Sequence, residues 1–111
     1  MGFAANQARL LCLISRRSDL ELEAQFISNH RMYLANMTSG FFNMQAKLEP
    51  NSEAFKVLEA RIKMLQQADK ILESHLKRVD TQRDAVVKEF ESVDKIISQN
   101  IQNSFGVMGK N

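Results

Sequence analysis

The feature that most constrains this chain is a seven-residue repeat of apolar side chains in its second half. The first line of the repeat is Leu58, Leu65, Leu72, Val79, Val86 and Val93. The second line, four residues further on, is Ile62, Asp69, Leu76, Arg83, Phe90 and Ile97. Apolar residues that alternate at steps of four and three form one stripe along a helix and are typical of coiled coils. The repeat predicts one long helix over residues 53–105.

The first half carries a matching line of residues. It consists of Leu13, Leu20, Ile27, Leu34, Phe41 and Leu48. Between the halves lies Pro50, which disfavours helix in the residue before it, and it is followed by Asn51 and Ser52, which can cap a new helix. The predicted fold is all-α: a long antiparallel, coiled-coil-like helical hairpin with a turn at residues 48–52 and with a short N-terminal helix or helix extension.

The helix boundaries follow from local signals. Ser18 and Glu21 have the spacing of a capping box, which marks a helix start. We expect a short helix over residues 4–16 and a long one over 19–47, with continuous helix through this point as the alternative. Gly106 is expected to cap the second helix, leaving residues 106–111 as a frayed tail. The whole chain, residues 1–111, is expected to form a single helical domain.

Composition and charge bear on partners and location. The 15 basic and 13 acidic residues are interleaved and give a net charge of +2, so no basic stripe for nucleic acid is expected. No apolar run approaches the length of a membrane span. No cleavable signal peptide is recognisable. The expected location is the cytoplasm or, through a signal-peptide-independent secretion system, the cell surface.

The residues that could carry chemistry are few and scattered. His30 and His75 lie in different halves, and neither has cysteines or acids around it at metal-ligand spacing. Cys12 is the only cysteine, so an intrachain disulfide is excluded and a small buried residue is the default interpretation. No phosphate-binding glycine loop or nucleophile elbow occurs. We expect no catalytic residue, no cofactor and no metal, and therefore no enzyme.

The first half has too many apolar residues for a simple hairpin. From residue 24 to residue 46 the only charged residue is Arg31. Phe26, Tyr33 and Phe42 point away from the line that contains Ile27 and Leu34. A helix that is apolar on several sides needs neighbours on several sides. This pattern predicts assembly with other chains; the alternative is a self-contained bundle in which the N-terminal helix folds back over these residues.

Two sets of residues are assigned on this basis. The predicted seam between the helices of one chain is Leu20, Ile27, Leu34, Phe41, Leu58, Ile62, Leu65, Leu72, Leu76 and Val79. The predicted assembly interface is Phe26, Met32, Tyr33, Phe42, Phe90, Val93, Ile97, Ile101 and Phe105. The C-terminal members are included because an antiparallel partner helix that starts at Asp19 would end opposite residues 80–83.

Asp69 and Arg83 occupy seam positions although they are charged. Polar seam residues fix the register or the number of partners at some cost in stability. Alternatively, the seam drifts at these positions and both side chains extend to water. The sequence leaves these two interpretations open.

The last third of the chain resembles a known family. Pro50-Asn51-Ser52 has the place of a turn, and Val87-Lys88-Glu89-Phe90-Glu91-Ser92-Val93-Asp94-Lys95-Ile96-Ile97-Ser98-Gln99-Asn100-Ile101 is similar to the ending of type III secretion needle subunits. The resemblance covers about half of the chain. It implies a helical hairpin whose C-terminal residues pack between neighbouring subunits of a helical tube. The longer first arm and the ten residues after Ile101 depart from that pattern.

Two functional hypotheses follow. The first is a structural protein that self-assembles through helix packing, as a filament subunit of a secretion-type apparatus would, with other copies of itself as partner. The alternative is a coiled-coil adaptor or helical export chaperone that binds another helical protein. The charge-poor first half favours self-assembly, because a chaperone has to stay soluble when empty.

Overall fold

The computed structural model describes the backbone of residues 2–109 and the side chains of residues 2–104. It contains two helices, α1 over Phe3–Gln45 and α2 over Glu53–Gly109. No strand occurs in the described backbone. The protein is an all-α helical hairpin, as the seven-residue repeats predict. None of the described helices has a stretch long and apolar enough to cross a membrane.

The connection between the helices is a tight turn. Ser52 donates its backbone N–H to the carbonyl of Glu49 at 3.2 Å, and Asn51 between them has a φ of 67°. Proline at the second position and a positive φ at the third are the features of a type II turn, and asparagine tolerates that conformation better than most residues. The Ser52 Oγ then accepts a hydrogen bond from the N–H of Phe55 and caps α2.

The first helix is not interrupted at Ser18. α1 runs through it without a break, so the expected division into helices over 4–16 and 19–47 is wrong and the continuous alternative is right. Ser18 and Glu21 are both exposed, and Arg17 lies 3.8 Å from Glu21 in a pairing that supports a continuous helix. Continuation also keeps Leu13 and Leu20, seven residues apart, on the same buried stripe.

The other helix ends also differ from expectation. α1 ends at Gln45 instead of residue 47, because Lys47 and Leu48 donate to carbonyls three residues back and tighten the chain into the turn. α2 continues to Gly109, so Gly106 is helical and does not cap it. Residues 110 and 111 of the expected frayed tail lie outside the described residues.

The chain divides into two compact units, each built from one segment of α1 and one of α2. The terminal unit comprises Met1–Leu22 and Asp80–Asn111, and the turn unit comprises Glu23–Val79. In the turn unit the buried apolar side chains are Ala24, Ile27, Leu34, Leu58, Ile62 and Val79. Among the side chains described in the terminal unit they are Leu13, Leu20, Val93 and Ile97. Each unit therefore has buried side chains of its own, whereas the sequence led us to expect one domain.

Candidate helix-packing interface

An ion-pair cluster joins the two helices of the turn unit. Arg31 of α1 donates from Nε to Asp69 Oδ1 at 2.8 Å and from an Nη to Oδ2 at 3.2 Å. Glu73, one turn further along α2, lies 3.9 Å from the same guanidinium. A bidentate contact of this kind fixes both the distance and the orientation of the two groups. Asp69 therefore ties the lone charged residue of the apolar stretch in α1 to a defined level of α2.

The electrostatics of this cluster favour the charged forms. The hydrogen bonds from Arg31 lower the pKa of Asp69 below its usual value of 3.8, against the opposing effect of desolvation. The pKa of Arg31 is raised for the same reason, with hydrogen bonding to Asp69 as the main cause. Asp69 is thus held as a carboxylate by its partner on the other helix. Arg83, the second charged seam residue, pairs instead within α2, at 3.6 Å from Asp80.

The histidines take no part in a cluster that suits a metal. Nε2 of His75 lies 3.1 Å from Glu23, while His30 is exposed. Among the residues described here, no group of three or more His, Cys, Asp or Glu side chains is placed to hold a metal ion. Cys12 is a free thiol and is exposed, so the expected burial of this residue is wrong. It lies on the side of α1 turned away from Leu13 and Leu20.

Most of the exposed large apolar side chains of the turn unit collect on one side of the hairpin. Met37 and Phe41 of α1 line a shallow depression together with Arg61, Met64 and Leu65 of α2. Met37 and Met64 therefore flank the seam on the same side. Residues seven or eleven apart return to nearly the same side of a helix. The side chains at these spacings from Met37 on α1 and from Met64 on α2 therefore lie on this same side of the hairpin.

We call this surface the lateral face. It consists of Phe26, Tyr33, Met37 and Met44 on α1 and of Val57, Met64 and Ile71 on α2. Six of these seven are exposed: Phe26 64%, Tyr33 59%, Met44 55%, Val57 50%, Met64 68% and Ile71 70%. Arg61 is the charged residue that lines the depression. Helical periodicity puts the cluster of Arg31 and Asp69 on the other side of the seam.

Gly40 lies in the same row of α1 as Phe26 and Tyr33, at steps of seven. A Cβ built on it would meet nothing within 4 Å outside its own helix. A glycine in an exposed helix interior costs about 1 kcal/mol relative to alanine. No contact within this chain therefore requires a glycine at position 40, and Gly40 faces open space beside the lateral face.

The opposite side of the turn unit has a different character. Phe42 lies there in a groove with Gln45, Phe55, Glu59, Ile62, Lys63 and Gln66. Polar and charged side chains make up most of that lining. Phe42 is the exposed apolar residue of this mixed groove, beside the half-buried Phe55, and a single exposed apolar side chain is ordinary for a folded protein.

The predicted seam residues all lie at positions shielded from solvent. Leu20, Ile27, Leu34, Leu58, Ile62 and Val79 are buried. Phe41, Leu65, Leu72 and Leu76 are half-buried. Phe41 and Leu65 are half-buried because they line the depression. Leu72 and Leu76 are half-buried because they lie next to the polar seam position occupied by Asp69.

The predicted assembly interface is divided by the structure. Phe26, Met32, Tyr33 and Phe42 are exposed, and so is Ile101. Val93 and Ile97, however, are only 5% and 8% exposed, because they pack with Leu13 in the core of the terminal unit. The assignment of these two residues to an intermolecular interface is wrong. The side chain of Phe105 lies outside the described residues.

Phe90 belongs to the same correction. It is half-buried and packs against the Leu13 cluster, with the guanidinium of Arg17 5.4 Å from its ring centre. The short N-terminal segment supplies these partners because α1 continues through Ser18. Arg9 and Glu89, also paired in this unit, show that α1 still faces α2 close to its beginning.

The sequence interpretation missed the α2 half of the lateral face. Val57, Met64 and Ile71 lie seven residues apart, so the signal was present as a second line beside the main repeat. It was hidden because the stronger line through Leu58, Leu65 and Leu72 runs one residue away. The sequence interpretation also grouped Met32 with Tyr33. Met32 is exposed like Tyr33 but is turned away from the lateral face.

No protein family, curated protein or solved structure matches this chain in comparisons with known proteins.

Proposed function

We propose that this protein is a non-enzymatic structural subunit that assembles through helix packing. The observation that carries the proposal is the lateral face. Six of its seven apolar residues are exposed, and the residues lie on both helices and repeat at intervals of seven, which is the spacing a packed helix requires. Exposed apolar surface of this extent on a folded chain is characteristic of interaction sites.

A filament of a secretion-type apparatus is the specific form of assembly that the C-terminal resemblance implies. The surface available for it differs from the one expected, since Val93 and Ile97 are occupied within the terminal unit. Ile101 is the member of the C-terminal stripe that is exposed among the described side chains. The proposal therefore places the main contact on the turn unit, and a secretion-type filament is its most specific version.

The second candidate is a coiled-coil adaptor or helical export chaperone. It is favoured by the buried apolar side chains within each unit, because a chain with a core of its own can stay folded when no partner is bound. Such a protein would be a monomer when purified alone. The oligomeric state thus separates the two functions.

The test uses the purified full chain. Light scattering coupled to size exclusion should give a mass at least twice the 12.7 kDa of one chain, and negative-stain microscopy should show whether assembly stops at a small oligomer or continues into filaments. A mass of one chain at every concentration up to about 100 µM, where even weak specific association is populated, would overturn the self-assembly proposal in favour of the adaptor.

A further inference from the structure

We infer that the lateral face is the contact site for the lateral face of a second copy of this chain, so that two hairpins form a four-helix bundle. The inference rests on the proposed assembly function and names its partner and its surface.

The spacing of the exposed residues identifies the partner as a pair of helices. Tyr33 follows Phe26 by seven residues, Met44 follows Met37 by seven, and Val57, Met64 and Ile71 form a third row at the same interval. Rows at this spacing accept the side chains of a helix laid along them. Because α1 and α2 both present such rows on one side, the matching partner has two helices side by side.

The charge of the face argues for an identical partner. Arg61 is the charged residue in the depression, and Glu23 at one end of the unit is already engaged with His75. His30 precedes Met37 by seven residues and Arg78 follows Ile71 by seven, so polar side chains border the apolar rows towards that same end of the unit. The apolar part of the face is complementary to another apolar helical surface, and the same face on a second copy has that chemistry. Twofold symmetry is the usual way in which such a surface is used.

The area is sufficient for a stable dimer. Six large side chains that are 50–70% exposed, each with roughly 150–250 Å² in total, present on the order of 600 Å² of apolar surface. A specific interface needs about 500–800 Å² from each partner, so the face approaches or meets that range before its polar rim is counted.

Gly40 adds an independent observation. It continues the row of Phe26 and Tyr33, and nothing in its own chain lies close enough to demand a glycine. A residue without a side chain at that position lets a second backbone approach the row more closely. Gly40→Ala should therefore stabilise the isolated helix and weaken the dimer, two effects of opposite sign.

The decisive experiment compares two neighbouring positions on α1. Tyr33 and Met32 are similarly exposed, at 59% and 65%, but only Tyr33 lies on the lateral face. Tyr33→Asp should raise the dissociation constant of the dimer at least about 100-fold, because it buries an unpaired charge in the contact. Met32→Asp, the matched control, should change it less than about threefold, as surface substitutions usually do. Sedimentation velocity measures both, and circular dichroism confirms that helicity is intact.

Ile71→Asp repeats the test from the other helix, in case Tyr33→Asp does not fold. It is 70% exposed in the single chain, so the monomer should tolerate the charge while the dimer does not. If the wild-type chain assembles but responds equally to substitutions on and off the lateral face, this inference is overturned and the assembly proposal stands. A wild-type chain that remains monomeric overturns both.

Discussion

Leu20 is the most completely buried of the described side chains in the terminal unit, with 1% of its surface accessible. Its burial depends on α1 presenting one stripe without interruption. Removing three carbons from such a site loses transfer free energy and leaves a cavity that the neighbours fill only in part.

Leu20→Ala should lower the free energy of unfolding by about 2–5 kcal/mol, the range for buried leucines. Leu11→Ala on the same helix is the control, because Leu11 is 68% exposed and its loss should cost little. Urea unfolding followed by circular dichroism gives both values. Similar losses for the two variants would contradict the placement of the buried stripe.

The pair of Arg31 and Asp69 should make stability depend on acid pH. The pKa of Asp69 is lowered in the folded chain, so its contribution is present above the unfolded value near 3.8 and is lost as the pH falls through the lower folded value. The difference in free energy of unfolding between the wild type and Asp69→Asn should thus be larger at about pH 6 than at about pH 2.5. An unchanged difference at the two pH values would show that the ion pair does not form in solution.

The control for Asp69→Asn is a variant that removes another aspartate carboxylate and leaves the pair of Arg31 and Asp69 intact. Asp84 is an exposed aspartate on the same helix, so Asp84→Asn should change stability little at about pH 6. A loss equal to that of Asp69→Asn would mean that net charge, not the cross-helix contact, is being measured.

Individual residues were predictable where one physical cause dominated. The seam positions followed from the seven-residue lines, because burial of apolar side chains between two helices leaves that period in the sequence. Asp69 was ambiguous, since the sequence does not show that Arg31 lies across from it. Val93 and Ile97 were apolar in the right rows, but their partner depended on how far α1 extends, which is a property of the element and not of the residue.

At the scale of elements, the two helices and their turn were predictable, but the continuity of α1 through Ser18 was not. Pro50 and Asn51 dictate a turn because one fixes φ and the other tolerates a positive value. The capping box at Ser18 and Glu21 is weaker, because both side chains can also sit on the exposed side of a continuous helix. The packing of Leu13 and Leu20 on one stripe outweighs this local preference.

Ser18→Pro tests whether α1 is continuous. Proline inside a helix removes a hydrogen bond and clashes with the preceding turn, so the variant should lose about 3 kcal/mol or more of stability and part of its helicity. Phe3→Pro, at the first residue of α1, is the control, because proline is tolerated there. Circular dichroism and urea unfolding provide the measurements. If Ser18→Pro behaved like Phe3→Pro, the chain would have a helix boundary at Ser18 after all.

For the whole molecule, dimerisation through the lateral face would couple stability to concentration. A partner that binds only the folded chain adds stability by mass action, by about 1.4 kcal/mol for each tenfold rise in concentration above the dissociation constant. The midpoint of thermal unfolding should therefore rise with the concentration of the wild-type chain. It should not rise for Tyr33→Asp, and a midpoint independent of concentration for the wild type would contradict the coupling.

The discontinuity of the terminal unit has a consequence for the order in which the chain folds. Arg9 and Glu89 are 80 residues apart in sequence, whereas Arg31 and Asp69 are separated by 38. Closing a loop costs roughly 0.6 kcal/mol more for each doubling of its length, so contacts near the turn are entropically cheaper to form. Folding should nucleate at the turn and proceed towards the termini. Native-state hydrogen exchange should then show lower free energies of opening for the amides of residues 3–22 than for those of residues 24–40. The reverse order would place the folding nucleus in the terminal unit.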